Sequence, residues 1–214
     1  MLKNYILDLD GTLVNTIEDL GAAINHALSE LGFPTYCNDS IKTFVGNGST
    51  AFVIKSLGEQ GKGRYEKVYE LFMKYYDELC TNKVEPYPGA AEFVEKHSGN
   101  VALLTNKAIG QTLQILRKFN WEKHFTCILA GDTVPEKKPH PAGILKIIED
   151  SKWNPSETIM VGDDIPDVGA AQAAGIKIAA ILGGFGRAEE LLEMKPDYAF
   201  ASFEEFVLHS KTLN

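Results

Sequence analysis

The sequence predicts an α/β protein: a doubly wound, mostly parallel sheet core carrying a small, purely helical insert. Three observations predict it. From about residue 85 onward, short apolar runs alternate with stretches of helical periodicity, the pattern of repeated βαβ units. Between residues 15 and 84 the apolar residues recur only at helical spacing, with no convincing strand. Several apolar runs end in glycine, threonine or aspartate, and open α/β sheets place their chemistry at the carboxyl ends of strands.

Residues 3–8 read as the first strand, and Ile17, Leu20, Ala23, Ile24, Ala27, Leu28 and Leu31 mark a helix over 16–31. Gly32 and Pro34 end it. Val45-Gly46-Asn47-Gly48 then precedes a short helix near 50–57, and the stripe Tyr65, Val68, Leu71, Phe72, Tyr75, Tyr76 and Leu79 predicts a helix over 62–80. That stripe is read as the core of the insert. Pro86-Tyr87-Pro88-Gly89 returns the chain to alternation. Helices are expected at 89–97, 108–119, 140–150 and 166–174, each before a strand, at 100–105, 126–130, 157–162 and 176–182. A short helix at 187–193, a strand near 197–200 and a helix from 203 complete the expectation. The division is thus a core of residues 1–14 and 85–214, and a helical cap of residues 15–84.

At 214 residues, with 44% hydrophobic and 23% charged residues, the chain is ordinary for a globular protein and long enough for a sizeable core. The formal net charge is -8, and no basic cluster exceeds Lys137-Lys138. Nucleic acid is therefore disfavoured as a partner, because a phosphate backbone needs a positive footprint. An anionic substrate would have to be drawn in by local positive groups or a bound cation. Cys37, Cys80 and Cys127 are odd in number and scattered, which fits the cytoplasm better than a disulfide frame. The first apolar run is short and broken by Asp8, unlike a signal peptide, and no stretch is long enough to span a membrane. A monomer or homodimer is expected.

The chemistry concentrates in Asp8-Leu9-Asp10-Gly11-Thr12 behind the first strand. A carboxylate with the ordinary pKa of about 3.9 is ionised at neutral pH and needs no base to act as a nucleophile. A second aspartate two residues on can shuttle the proton. Alone, such a pair is as readily a hydrated Asp-Gly turn. Its company changes the weighting: Thr105-Asn106-Lys107 after one strand, Lys138-Pro139-His140-Pro141, and Gly162-Asp163-Asp164-Ile165-Pro166-Asp167 after another. Asp8, Asp163, Asp164 and Asp167 would repel one another, and a hard divalent cation with oxygen ligands relieves this. Mg²⁺ fits such a site best.

These four motifs, in this order, resemble the haloacid dehalogenase superfamily of phosphohydrolases over nearly the whole chain. The resemblance is greatest to the branch with a small helical cap after the first motif, and within it to phosphoglycolate phosphatase-like proteins. It implies a Mg²⁺-dependent phosphomonoesterase acting on a small phosphorylated metabolite through an aspartyl-phosphate. It implies that Asp8 attacks phosphorus and that Asp10 protonates the leaving oxygen, then takes a proton from water. Thr105 and the Asn106 backbone N–H would bind phosphate, and Lys138 would neutralise it. By the same resemblance Mg²⁺ is held by Asp8, Asp163 and the Asp10 backbone carbonyl, with Asp164 and Asp167 acting through water or orienting Lys138. Gly46-Asn47-Gly48 reads from pattern alone as a turn between helices; the resemblance makes it a binding element for the distal end of the substrate. Where the family often has Asp-Ser, this chain has Asn15-Thr16, expected to cap the following helix. Gly183-Gly184-Phe185-Gly186 reads as a turn, with lining the mouth of the site as the alternative. The rival readings are a phosphosugar mutase, a phosphonate-cleaving enzyme using Lys42 or Lys55, and a catalytically weak binding or regulatory protein on this fold.

Overall fold

The strands of the main sheet are short, and nearly every residue of its four inner strands is buried, which is what a sheet covered on both faces demands. The computed structural model describes residues 2–61 and 63–213. Met1, Lys62 and Asn214, at the edges of three expected segments, lie outside them. The strands are β1 (Asn4–Leu7), β4 (Val101–Leu104), β5 (Phe125–Leu129), β6 (Thr158–Gly162), β7 (Lys177–Ile181) and β8 (Tyr198–Phe200). They lie in the order β5-β4-β1-β6-β7-β8, and every neighbouring pair is parallel.

Side chains alternate across this sheet. Tyr5 and Leu7 point into a core with Phe93 and Val94 of α5 (Ala90–Lys96), Ile115 and Leu116 of α6 (Ile109–Lys118), and Phe203 and Phe206 of α10 (Phe203–His209). Ile6 points the other way, toward Ile144 and Ile147 of α7 (Ala142–Ser151), Val168 and Ala171 of α8 (Ile165–Ala174) and Leu191 of α9 (Ala188–Glu193).

The segment between β1 and α5 holds α1 (Ile17–Glu30), α2 (Asn38–Lys42), α3 (Gly48–Leu57) and α4 (Tyr65–Leu79) around a separate apolar cluster of Ile24, Leu28, Phe52, Val53, Val68 and Phe72. Two details differ from expectation. The helix α2 is a single turn and too short to leave a periodic signal. Strand character also reaches Asn15, because β2 (Val14–Asn15) pairs antiparallel with β3 (Glu85–Pro86) where the chain leaves and re-enters the core. Among the described residues no helix is long and apolar enough to cross a membrane.

The double crossing is fastened by Asp19, buried in the first turn of α1. Its carboxylate accepts the backbone N–H of Lys83 at 2.9 Å and that of Val84 at 2.9 Å. Bonds from buried amides to a charged acceptor are strong, and an orphaned amide is costly, so Asp19→Ala is expected to lose roughly 2–4 kcal/mol of stability. Urea unfolding checks this; an unchanged midpoint would mean that the clamp contributes nothing.

Candidate active site

The three central strands β4, β1 and β6 end side by side, and this places Thr105, Asp8 and Asp163 next to one another. The turn Asp8-Leu9-Asp10-Gly11 passes so close to Asp163 that a Cβ on Gly11 would lie 2.1 Å from its Oδ2. Glycine is also needed there for its φ of +83°. Asp163 is oriented by two donors. The Thr12 hydroxyl reaches its Oδ1 at 2.5 Å, and the Phe185 N–H reaches its Oδ2 at 2.7 Å. The segment 183–186, expected as a turn with lining of the site's mouth as the alternative, holds a site carboxylate, and Phe185 lines the cavity.

Lys138 comes from the segment between β5 and α7. Its ammonium, almost fully buried, lies 2.8 Å from Asp8 Oδ1 and 2.6 Å from Asp167 Oδ1. Burial alone would lower its pKa, but Asp167 and Asp8 overcome that and the net shift is upward. Asp167 Oδ2 accepts the N–H groups of Asp163 and Asp164 at 3.1 and 3.0 Å. Asp164 caps α8 and forms a capping box with Asp167. Both thus serve the helix start as well as the site, and Asp167 orients Lys138.

Thr105 is buried beside the cavity, and its Oγ1 accepts the Lys107 N–H at 3.3 Å. Asn106 uses its side chain as a bracket. Its Oδ1 accepts from the Lys138 N–H at 3.0 Å, and its Nδ2 donates at 2.9 Å to the Lys138 carbonyl and to that of Gly46. Gly46 and Gly48 line the cavity and touch the core, where a Cβ on Gly46 would lie 1.8 Å from Asp164 Oδ2. Asn47 does not follow them: it is exposed at the start of α3, and its side chain caps nothing and is not part of the lining. The expected turn is instead the entry to α3, with Gly48 its first residue.

Asn15, one residue before the N-cap position of α1, accepts the Ile17 N–H at 3.2 Å. Thr16 does not cap; its hydroxyl donates to Asp10 Oδ1 at 2.7 Å. Lys107, to which the motifs assigned no role, has its ammonium 3.0 Å from each Asp10 oxygen and 2.5 Å from the Tyr76 hydroxyl. Tyr76 belongs to the aromatic stripe, yet it faces the site. A lysine directly after Thr105-Asn106 was the one available signal for Lys107. Nothing in the periodicity separates Tyr76 from its core neighbours. The cavity that these groups share has a volume of about 610 Å³ with its open mouth, and Leu20, Val45, Phe52 and Phe72 of the insert form its apolar wall.

Carboxylate oxygens of Asp8, Asp163 and Asp167 lie within 4.8 Å of one another, all three residues buried. Burial, more than the neighbouring charges, raises the pKa of each above the usual carboxylate range. For Asp8, burial opposes the ionised form and the Lys138 ammonium favours it. Asp8 Oδ1 is buried and no protein donor is aligned on it as a hydrogen bond, although Lys138 is near. A cluster of buried, mutually repelling carboxylates is a donor set suited to a hard cation. Asp167, engaged by Lys138 and two amides, is the least available of the three.

The haloacid dehalogenase-like hydrolase family model matches residues 5–181. A phosphoglycolate phosphatase of Psychrobacter arcticus is 33% identical over 213 residues, covering 94% of this chain and 93% of that one. That of Nitrosococcus oceani is 31% identical over 216 residues, covering 96% of each. Among solved structures, a predicted phosphoglycolate phosphatase from Haemophilus somnus superposes with a TM-score of 0.88, at 29% identity and covering 98% of both chains. With its sheet order, its strand-end carboxylates and these matches together, the chain belongs to the haloacid dehalogenase-like hydrolases.

Proposed function

We propose that this protein is a Mg²⁺-dependent phosphomonoesterase of a small phosphorylated metabolite, with phosphoglycolate as its substrate. The observation that carries this reading is Asp8: a buried carboxylate with the Lys138 ammonium 2.8 Å from its Oδ1, in a cavity that Asp10 also lines. The Asp8 oxygen attacks phosphorus while the ester P–O bond breaks, and Asp10 gives its proton to the departing oxygen. Asp10 then takes a proton from water as that water attacks the aspartyl-phosphate. The P–O bond to Asp8 breaks, and orthophosphate and the unmodified carboxylate remain. Thr105 donates its hydroxyl to a phosphoryl oxygen, and the Lys138 ammonium balances charge on both nucleophile and phosphoryl group.

Asp8, Asp163 and the Asp10 carbonyl would hold Mg²⁺, with Asp164 and Asp167 supporting them. Bound there, the ion supplies positive charge that keeps Asp8 ionised and offsets the phosphoryl oxygens. Residues 15–84 act as a cap hinged at the β2–β3 pair, closing over the cavity to exclude water. Its apolar wall suits a small substrate, and the N–H groups at the start of α3, with Gly46 and Gly48, face the distal carboxylate. Free phosphometabolites place this work in the cytoplasm. Phosphate release over a panel of phosphometabolites with Mg²⁺ tests the reading. Phosphoglycolate is expected to give the highest kcat/KM, and release from no member of the panel would refute it.

A further inference from the structure

The loop after β7 carries one aromatic ring, Phe185, among the glycines Gly183, Gly184 and Gly186. All three glycines are pressed against neighbouring chain. A Cβ on Gly183 would lie 2.5 Å from the Ala201 carbonyl oxygen, and one on Gly186 2.1 Å from that of Asp163. A Cβ on Gly184 would lie 2.3 Å from Asp163 Oδ2. Only glycine fits such approaches, so the loop is wedged between the ends of β8 and β6. Two backbone donors fasten it there. The Leu182 N–H reaches the Phe200 carbonyl at 2.8 Å, and the Phe185 N–H reaches Asp163 Oδ2 at 2.7 Å. The backbone that carries the ring therefore cannot retreat without displacing Asp163, a member of the buried carboxylate cluster.

The ring itself crosses from the core to the insert. Among the described residues, Phe185 is the one hydrophobic side chain from outside residues 15–84 that packs against the insert's apolar cluster. It lines the cavity with Leu20, Phe52 and Phe72 of that cluster. Those three move with the insert, whereas Phe185 stays with the strand ends. We infer that Phe185 is a specificity-determining residue, whose ring bounds the room for the group that leaves phosphorus and restricts turnover to esters with short, narrow tails. The inference rests on the proposed hydrolysis and deepens it, assigning the rejection of bulky esters to a side chain of the core. A tail that overlaps the ring cannot bring its phosphorus against Asp8. A short tail fills the space beside the ring and keeps the contact.

Phosphate release from phosphoglycolate, phosphoserine and α-naphthyl phosphate, in order of increasing tail size, tests this. Each variant is compared with the wild type on the same ester, which removes differences in intrinsic reactivity. Phe185→Ala is expected to raise kcat/KM for α-naphthyl phosphate by about tenfold and to lower it for phosphoglycolate by about tenfold, with phosphoserine between them. Phe185→Leu, which keeps an apolar side chain against the cluster, is expected to shift the same ratios in the same direction by about threefold. Both variants keep the N–H that holds Asp163. A residue that only supported the fold or the insert would lower all three values alike. Equal losses on the three esters, or a greater loss on α-naphthyl phosphate than on phosphoglycolate, overturn the inference; if Phe185→Ala does not fold, Phe185→Leu alone decides. A wild-type protein that releases phosphate from none of the three overturns the hydrolase assignment and this inference with it. Wild-type turnover whose ratios do not move in the variants overturns this inference alone.

Discussion

Asp8→Asn is expected to reduce turnover by at least about 10⁴-fold with every phosphomonoester, because in the proposed mechanism the group removed is the one that forms the bond to phosphorus. An amide is a poor nucleophile and a weak cation ligand. The fold should survive. Asp8 sits among like charges whose repulsion helps to raise its own pKa, and Lys138 retains Asp167 as its partner at 2.6 Å. The variant is therefore expected to unfold no earlier than the wild type in urea while releasing no phosphate above background. Near-native activity in Asp8→Asn would exclude this carboxylate as the attacking group.

The second large effect is that of metal withdrawal. Exhaustive EDTA treatment is expected to abolish phosphate release, and added Mg²⁺ to restore it. Ca²⁺ should restore it poorly, since it prefers more ligands at longer distances and would misplace nucleophile and phosphate. The physical ground is the buried set Asp8, Asp163 and Asp167, with burial and mutual repulsion opposing ionisation. A cation reverses that preference, so Mg²⁺ should also raise the thermal midpoint of the wild type, and much less that of Asp163→Asn. Undiminished activity after complete metal removal would contradict the assignment of this cluster.

Much of this site was legible before the structure because its groups sit at strand ends, where apolar runs stop abruptly at aspartate, threonine or glycine. Asp8, Asp10, Thr105 and Asp163 come together for that reason: β4, β1 and β6 are neighbours in the sheet. Lys138 was marked by the stiff Pro139 and Pro141 beside it. What escaped were groups whose role depends on packing between the insert and the core. Tyr76 lies on the same apolar stripe as Phe72, and only the docking of α4 turns its hydroxyl toward Lys107. Thr16 has the composition of a helix cap, but Asp10 competes successfully for its hydroxyl. Asn47 was read together with the glycines around it, yet the start of α3 directs Gly46 and Gly48 to the core and leaves Asn47 in solvent. The single turn of α2 is shorter than the window over which periodicity can be recognised.

The most direct measurement is acid-quenched peptide mapping of Asp10→Asn during turnover of p-nitrophenyl phosphate, whose leaving group departs without a proton and so still loads the nucleophile. Without a proton acceptor for the attacking water, this variant should hydrolyse its covalent intermediate slowly, so the intermediate should accumulate. The mechanism predicts one acid-stable, hydroxylamine-labile phosphoryl group on the peptide that contains Asp8, and none when Asp8 is also replaced by Asn. A phosphoryl group on any other side chain, or its persistence in the doubly substituted protein, would contradict nucleophilic attack by Asp8.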